Sequence, residues 1–401
     1  MNILMFTHAR SRTGTWYRVF NLAAGLVRRG HSVRIAKLGL QRLVPRETIE
    51  DGVSVIDLPR LWGSSLFEDA TRMPQDIVGR LALQVFGPYD IVHAFTHHLN
   101  ALLPALMGSR LRRGTTVLGD RDDLWSEGGL LGPPPDAGPW SRRANYRFHA
   151  WTEHNMGRWL GAMTVASDDL LKRVLATGVP ADRVRKVING CPIDRIAPGD
   201  RAVARARLGL PRDRQIALFV GVGQYDVDLI LDALRELKQR NAGKPLPLTV
   251  LVGPHADSMR TWAEDRGVSE DVVTTGFLPD AQLPTYLQAA DVGLLPFADK
   301  PLNRARFPIK LGDYLAAGLP VLTNNVGEMG RIVREEDAGE VTESDPWSYA
   351  SGLSRILESA SRLEGYRERA RAAAEKMSWS AVSGELETFY LTLRAADDAT
   401  H

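Results

Sequence analysis

Between Arg306 and Val321 the chain reads RFPIKLGDYLAAGLPV. Lys310 and Asp313 stand three residues apart, so a helix here carries a cation and a carboxylate on one face. Pro308 suits a first helical turn, Gly318 suits a C-terminal cap, and Pro320 blocks continuation. A lysine near a helix start can neutralise a diphosphate. An aspartate one turn later can accept hydrogen bonds from two ribose hydroxyls. A surface ion pair, worth at most about 1 kcal/mol, has the same spacing, so spacing alone does not choose.

Two more runs place polar groups after apolar, strand-like segments. GDRDDLWSEGG, Gly119 to Gly129, holds Asp120, Asp122, Asp123, Arg121 and Glu127 beside Trp125. Its carboxylates could accept hydrogen bonds from sugar hydroxyls, act as a base or ligate Mg2+. Equally, an Asp could cap the next helix while the Arg pairs with another Asp. HAFTHH brings His93, His97 and His98 together, without the companion ligands that metal-site spacing requires. No metal is therefore expected, and His97 and His98 serve either as donors lining a cleft or as surface residues.

Glycines mark two further loops. FTHARSRTGTWY, Phe6 to Tyr17, carries Gly14 with Arg10 and Arg12 at the expected start of a helix, where backbone N–H groups bind anions. Its alternative is a solvated arginine loop. FVGVGQYDVDL, Phe219 to Leu229, offers Gly221 and Gly223, which allow close approach of a phosphate. The three-glycine dinucleotide fingerprint is absent, so NAD and FAD are not expected cofactors. In residues 140–159, helical spacing aligns Trp140, Arg143, Arg147, Trp151, His154 and Arg158. Such a face suits a membrane interface, or simply an ordinary helix with a basic surface.

The elements that must position these groups alternate from end to end. Apolar runs at 2–6, 32–37, 90–94, 115–118, 162–166 and 185–188 read as strands, separated by amphipathic segments such as 17–29. A turn-rich connection over 189–213 interrupts the pattern. Alternation then resumes with strands at 216–220, 248–252, 272–275, 292–295 and 320–323. Two β/α halves imply an α/β protein of two Rossmann-like domains with parallel sheets, ligands sitting at the carboxyl ends of the strands. The expected boundaries are 1–195, 196–376 and a C-terminal helical segment over 377–401.

Bulk composition agrees. A chain of 401 residues suits two domains, and a net charge of +2 argues against a nucleic-acid partner. The single Cys191 excludes an internal disulfide and fits a reducing, cytoplasmic compartment. The amino-terminal run is too short for a signal peptide, and no apolar stretch is long enough to span a bilayer.

FPIKLGDYLAAGLPV resembles the donor-nucleotide motif of family 4 retaining glycosyltransferases, which have the GT-B fold of two Rossmann-like domains facing a central cleft. WYRVFNLAAGLVRRGHSV, TVASDDLLKRV, VINGCPID, VVTTGFLP, AADVGLLPF and KMSWSAV match further family segments in order over nearly the whole chain. The resemblance implies a retaining transferase that moves a sugar from a nucleotide-diphosphate sugar to an acceptor hydroxyl. The acceptor would be a glycan, a lipid-linked molecule or a small molecule. Asp313 stands where the family has a ribose-binding Glu, and Gly221 to Gly223 stand at the phosphate-facing turn. Gly14 lies in the loop that closes over donor phosphates or acceptor. Asp122 or Asp123 falls near a first-domain His that contacts the donor sugar in some members. This marks Asp122, Asp123 and Lys310 as catalytic candidates, and Arg12, His97 and His98 as acceptor-binding candidates. The final segment would return to the first domain.

Two departures stand out. The first of the family's paired glutamates falls at Ala305, and the usual Arg and Lys after the phosphate turn are replaced by QYDVD, Gln224 to Asp228. Neutralising the diphosphate then passes to Arg304, Arg306 or Lys310. A catalytically silent nucleotide-sugar-binding protein or partner subunit is the alternative function, with a nucleotide-sugar epimerase behind it. The expected location is cytoplasmic, with a peripheral membrane contact through 140–159 as the open question.

Overall fold

The computed structural model describes residues 1–9, 14–39, 44–58, 74–134, 139–221, 223–240 and 245–399. The chain forms two compact units. The first comprises 1–190, 305–307 and the stretch from Trp379 on; the second comprises 191–304 and 308–378.

The first unit holds strands β1 (Asn2–Thr7), β2 (Ser32–Lys37), β3 (Arg46–Glu50), β4 (Val53–Asp57), β5 (Ile91–Phe95), β6 (Thr116–Arg121), β7 (Met163–Val165) and β8 (Val184–Lys186). They make one sheet in the order β3-β4-β2-β1-β5-β6-β7-β8. All neighbours run parallel except β3 and β4. The apolar-run pattern does not anticipate the β3–β4 hairpin, because β3 (RETIE) is an edge strand with hardly any apolar side chain to bury. Asp51 and Gly52 both take positive φ (49° and 80°), as the Asp-Gly hairpin signal requires.

β1 is buried from Ile3 to Thr7 because both faces of a parallel sheet are covered. On one face, the helices Gly14–Arg28 and Trp379–Asp398 pack together. The approach is so close that a Cβ on Gly25 would meet Ser383 Oγ at 2.0 Å. Trp379, Val382, Leu386, Phe389, Tyr390 and Leu393 thereby join one core with Ile3, Met5, Val19 and Leu22.

The second unit holds β9 (Ile216–Val220), β10 (Leu248–Val252), β11 (Val272–Gly276), β12 (Val292–Leu295), β13 (Val321–Asn324) and β14 (Gly339–Thr342). Its sheet is wholly parallel, in the order β11-β10-β9-β12-β13-β14. β14 has only Val341 as a large apolar residue, which is why it escapes an apolar-run reading. Among the described residues, no helix is long and apolar enough to cross a membrane.

Candidate functional site

In the second unit, the helix Ile309–Ala316 follows Pro308, whose φ of −74° and ψ of 129° are extended. Pro308 therefore precedes the helix instead of occupying its first turn. Gly318, at φ +62°, takes the left-handed position just past the last turn. The helix is locked by Tyr314, 1% exposed, whose hydroxyl accepts from Val220 N at 3.0 Å and lies 3.3 Å from the Leu294 carbonyl. Gly293 leaves room for that ring, since a Cβ there would meet Tyr314 Cδ2 at 2.6 Å.

Lys310 and Asp313 are both half-buried on this helix. Desolvation pushes the Asp313 carboxyl up to about 7, although Lys310 pulls it down. Asp280 adds a smaller push in the same direction as burial. The ammonium of Lys310 lies 5.9 Å from the centre of the Phe219 ring.

The glycine turn fits less simply. A Cβ on Gly221 would meet Phe219 Cζ at 2.2 Å, and one on Gly253 would meet the Gly221 carbonyl at 2.1 Å, so both glycines answer close backbone packing. Gly223 precedes the helix Gln224–Arg240, and its missing Cβ would lie 2.4 Å from Asp226 Oδ2. A carboxylate thus occupies the first turn, where an anion would otherwise be favoured. Arg304 is exposed and paired with Asp299, Nη2 to Oδ2 at 2.7 Å. A cavity of about 830 Å3 elsewhere in this unit is lined by Arg201, Arg205, Arg212, Arg214, Arg367 and Arg371. Asp291 pairs with three of these arginines, and neither Lys310 nor Asp313 lines the space.

In the first unit, Asp120 proves to be structural. It accepts from Arg18 Nη2 at 2.7 Å and Nε at 3.0 Å, both side chains being sealed from solvent. Thr164 Oγ1 also donates to Asp120, and His93 links Thr164 to the Tyr390 hydroxyl at 2.7 Å. Burial drops His93 to about 4, so it remains neutral.

Asp122 and Asp123 lie just beyond, half-buried. Burial raises both carboxyls, and Asp120 and Asp122 add like-charge repulsion. Asp123 reaches about 8 despite Arg306 and Arg18. The Thr15 hydroxyl donates to Asp122, joining the start of the first helix to this loop. Gly14 opens that helix with nothing within 4 Å of a notional Cβ. Arg12 lies outside the described residues. Arg306 belongs with this unit, as does Ala305, which is fully buried and gives its carbonyl to Ser167 Oγ. Phe307 completes the segment by accepting from Asn189 Nδ2 at 2.7 Å.

His97 and His98 are 2% and 4% exposed, so their polar atoms face inward. His97 Nε2 meets Nδ1 of His149 at 3.0 Å. Sequence spacing could not supply His149, because it lies on the buried face of the helix Trp140–Leu160. Glu153, one turn further on, is held to about 2: Arg121 and hydrogen bonds from Trp125 and Ser126 outweigh its burial. The opposite face of this helix exposes Trp140 (78%) and Trp151 (57%). Arg143, Arg147, His154 and Arg158 are exposed with them.

Residues 13–190 match the model of a glycosyl transferase 4-like domain, and residues 200–377 match that of glycosyl transferases group 1. The chain belongs to the family 4, group 1 glycosyltransferases. This glycosyltransferase is 28% identical over 369 residues to D-inositol 3-phosphate glycosyltransferase 1 of Catenulispora acidiphila, covering 87% of this chain and 83% of that one. A D-inositol 3-phosphate glycosyltransferase of Nocardia farcinica is 30% identical, but the match spans only 49% of its length and 54% of this chain. Among solved structures, sucrose-phosphate synthase from Thermosynechococcus elongatus superposes with a TM-score of 0.75 at 19% identity, over 98% of this chain and 99% of that one. Anabaena HepE in complex with UDP-glucose gives 0.69 at 15% identity, over 97% and 98%. The fold of this glycosyltransferase is GT-B, as the resemblance implied.

Proposed function

We propose that this glycosyltransferase is a retaining enzyme that takes a sugar from a nucleotide-diphosphate sugar and gives it to an acceptor hydroxyl. The observation that carries the reading is the Lys310–Asp313 pair on a helix fixed by Tyr314. Asp313, with its carboxyl near 7, accepts from the ribose hydroxyls when ionised. Lys310 stabilises the negative charge that grows on the departing diphosphate, so it acts on the transition state more than on bound donor. Neither Arg304, paired with Asp299, nor the turn carrying Asp226 offers a free positive field for that task.

In the first unit, Asp122 and Asp123 orient sugar or acceptor hydroxyls, and Arg306 tunes Asp123. With the leaving phosphate taking the acceptor proton on the same face, no protein nucleophile is needed. The complex of HepE with UDP-glucose supports a uridine-linked donor as the first to try, and the names of the curated relatives support a small polyol phosphate among the acceptors. The protein works in the cytoplasm, and the exposed face of the helix Trp140–Leu160 brings it to an anionic membrane surface.

Purified protein incubated with UDP-sugars and a panel of acceptors should release UDP, with Lys310→Ala lowering turnover by about 100-fold or more. Unchanged turnover in Lys310→Ala and Asp313→Ala would remove this site assignment. Ala305, closed and buried where an acid was expected, favours a second reading as a silent nucleotide-sugar-binding partner. Donor binding without transfer to any acceptor would select it.

A further inference from the structure

The first unit brings three imidazoles together beneath its surface. His97 and His98 follow β5, and His149 projects from the buried face of the helix Trp140–Leu160. One ring nitrogen from each lies within 4.8 Å of the other two, and the closest pair, His97 Nε2 and His149 Nδ1, is 3.0 Å apart. Ligand nitrogens around a tetrahedral zinc with Zn–N near 2.0–2.1 Å are about 3.3 Å apart, close to the His97–His149 separation.

The surroundings fit a metal as well. Thr96 Oγ1 and His98 Nδ1 share a hydrogen bond, which orients the ring and makes Nε2 its ligand atom. Thr96 itself stands at φ 150°, a conformation that a β-branched residue seldom adopts. Strain of this kind persists where neighbouring structure holds a functional group in place. Trp125 walls the group, its ring 4.4 Å from His98 and 5.5 Å from His97, and His8 stacks on His98 at 4.3 Å. Trp125 and His8 are only half-buried, so the cluster lies one ring beneath the surface. Glu153, also near His97, supplies a negative charge behind the rings while its oxygens stay bonded to Arg121, Trp125 and Ser126.

We infer that His97, His98 and His149 bind a divalent transition metal of the zinc type, with the fourth position left to water. Three imidazoles suit zinc, cobalt or nickel and are poor ligands for Mg2+. The inference does not depend on the transfer reading.

The test uses the full chain, dialysed against chelator and titrated with Co2+ alone, then with Zn2+. One equivalent of Co2+ should give the strong visible absorption of a near-tetrahedral ion, and Zn2+ should abolish it. His149→Ala and His98→Gln each remove a ligand nitrogen and should weaken binding by more than the about 10–100-fold that loss of an outer partner costs. His154→Ala, on the exposed face of the same helix, should leave binding unchanged. Zn2+ should also raise the melting temperature of the wild type and not that of His98→Gln, a variant that keeps polar bulk if His149→Ala fails to fold. Absence of a saturable cobalt spectrum in the wild type overturns the inference. So does equal binding by wild type and His98→Gln.

Discussion

Asp313 turns an ordinary carboxyl into a group that titrates near neutrality. Its value of about 7 lies above the unfolded value of about 3.9, so the native state holds more protons between these limits. Stability from this group is therefore greatest at low pH and is lost as pH rises through about 7. Asp313→Asn cannot ionise, so its stability relative to wild type should improve between about pH 5 and about pH 8. Urea unfolding at the two pH values reads this, and a constant difference contradicts the raised carboxyl. Binding follows the opposite course. UDP should bind more tightly as the carboxylate forms, and calorimetry on Asp313→Asn should show a flat profile over the same range. Tyr314→Phe has a different signature: it strands Val220 N and should cost about 1–3 kcal/mol by denaturant melts without altering that pH profile.

At the scale of elements, the buried Arg18–Asp120 pair joins the first helix to β6, and Arg18 Nη1 donates to Asn189 Oδ1 and the Ile188 carbonyl. Arg18→Met leaves Asp120 buried without its cation and should cost about 3–5 kcal/mol in thermal or urea unfolding. A loss below about 1 kcal/mol would mean that Thr164 and His93 suffice to hold Asp120. For the helix Trp140–Leu160, Arg143, Arg147 and Arg158 changed together to Glu should abolish co-sedimentation with anionic vesicles and leave the fold intact, because all three are exposed. Equal sedimentation of variant and wild type would dismiss the membrane contact.

The elements also explain what the sequence could tell. Buried parallel strands such as NILMF and LTVLV are continuous apolar runs, so their positions were legible. β3 and β14 were not, because an exposed edge strand and a four-residue strand leave almost no apolar signature. Lys310 and Asp313 were legible because three residues of helix bring them to one face. His149 was hidden, since its neighbours His97 and His98 come from a strand end more than 50 residues away. Likewise, nothing local in GDRDD separates Asp120, which binds Arg18, from Asp122 and Asp123, which do not share its buried pair.

Across the whole molecule, the two units differ in how the chain builds them. The second is nearly continuous, whereas the first needs residues from 1–190, 305–307 and beyond Trp379. The final helix gives the first unit's core Trp379, Val382, Leu386, Phe389, Tyr390 and Leu393. At about 1.5–3 kcal/mol for each side chain, their burial rivals the roughly 5–15 kcal/mol that stabilises a typical domain. A chain ending at Ser378 should therefore keep a protease-resistant second unit while the first is digested, which limited proteolysis with mass mapping would reveal. Resistance of residues 1–190 in that truncation would show that the helix is dispensable.

The same helix sets a timetable for the nascent polypeptide. The first unit leaves the ribosome early but cannot complete its core until residues 379–398 have been translated. At about 5–20 residues per second, that delay after residue 190 lasts roughly 10–40 s. During that interval the surface awaiting the helix stands open to solvent, and the second unit can finish folding first. The growing chain thus passes through a window in which its first unit is incomplete, and translation of residues 379–398 closes it.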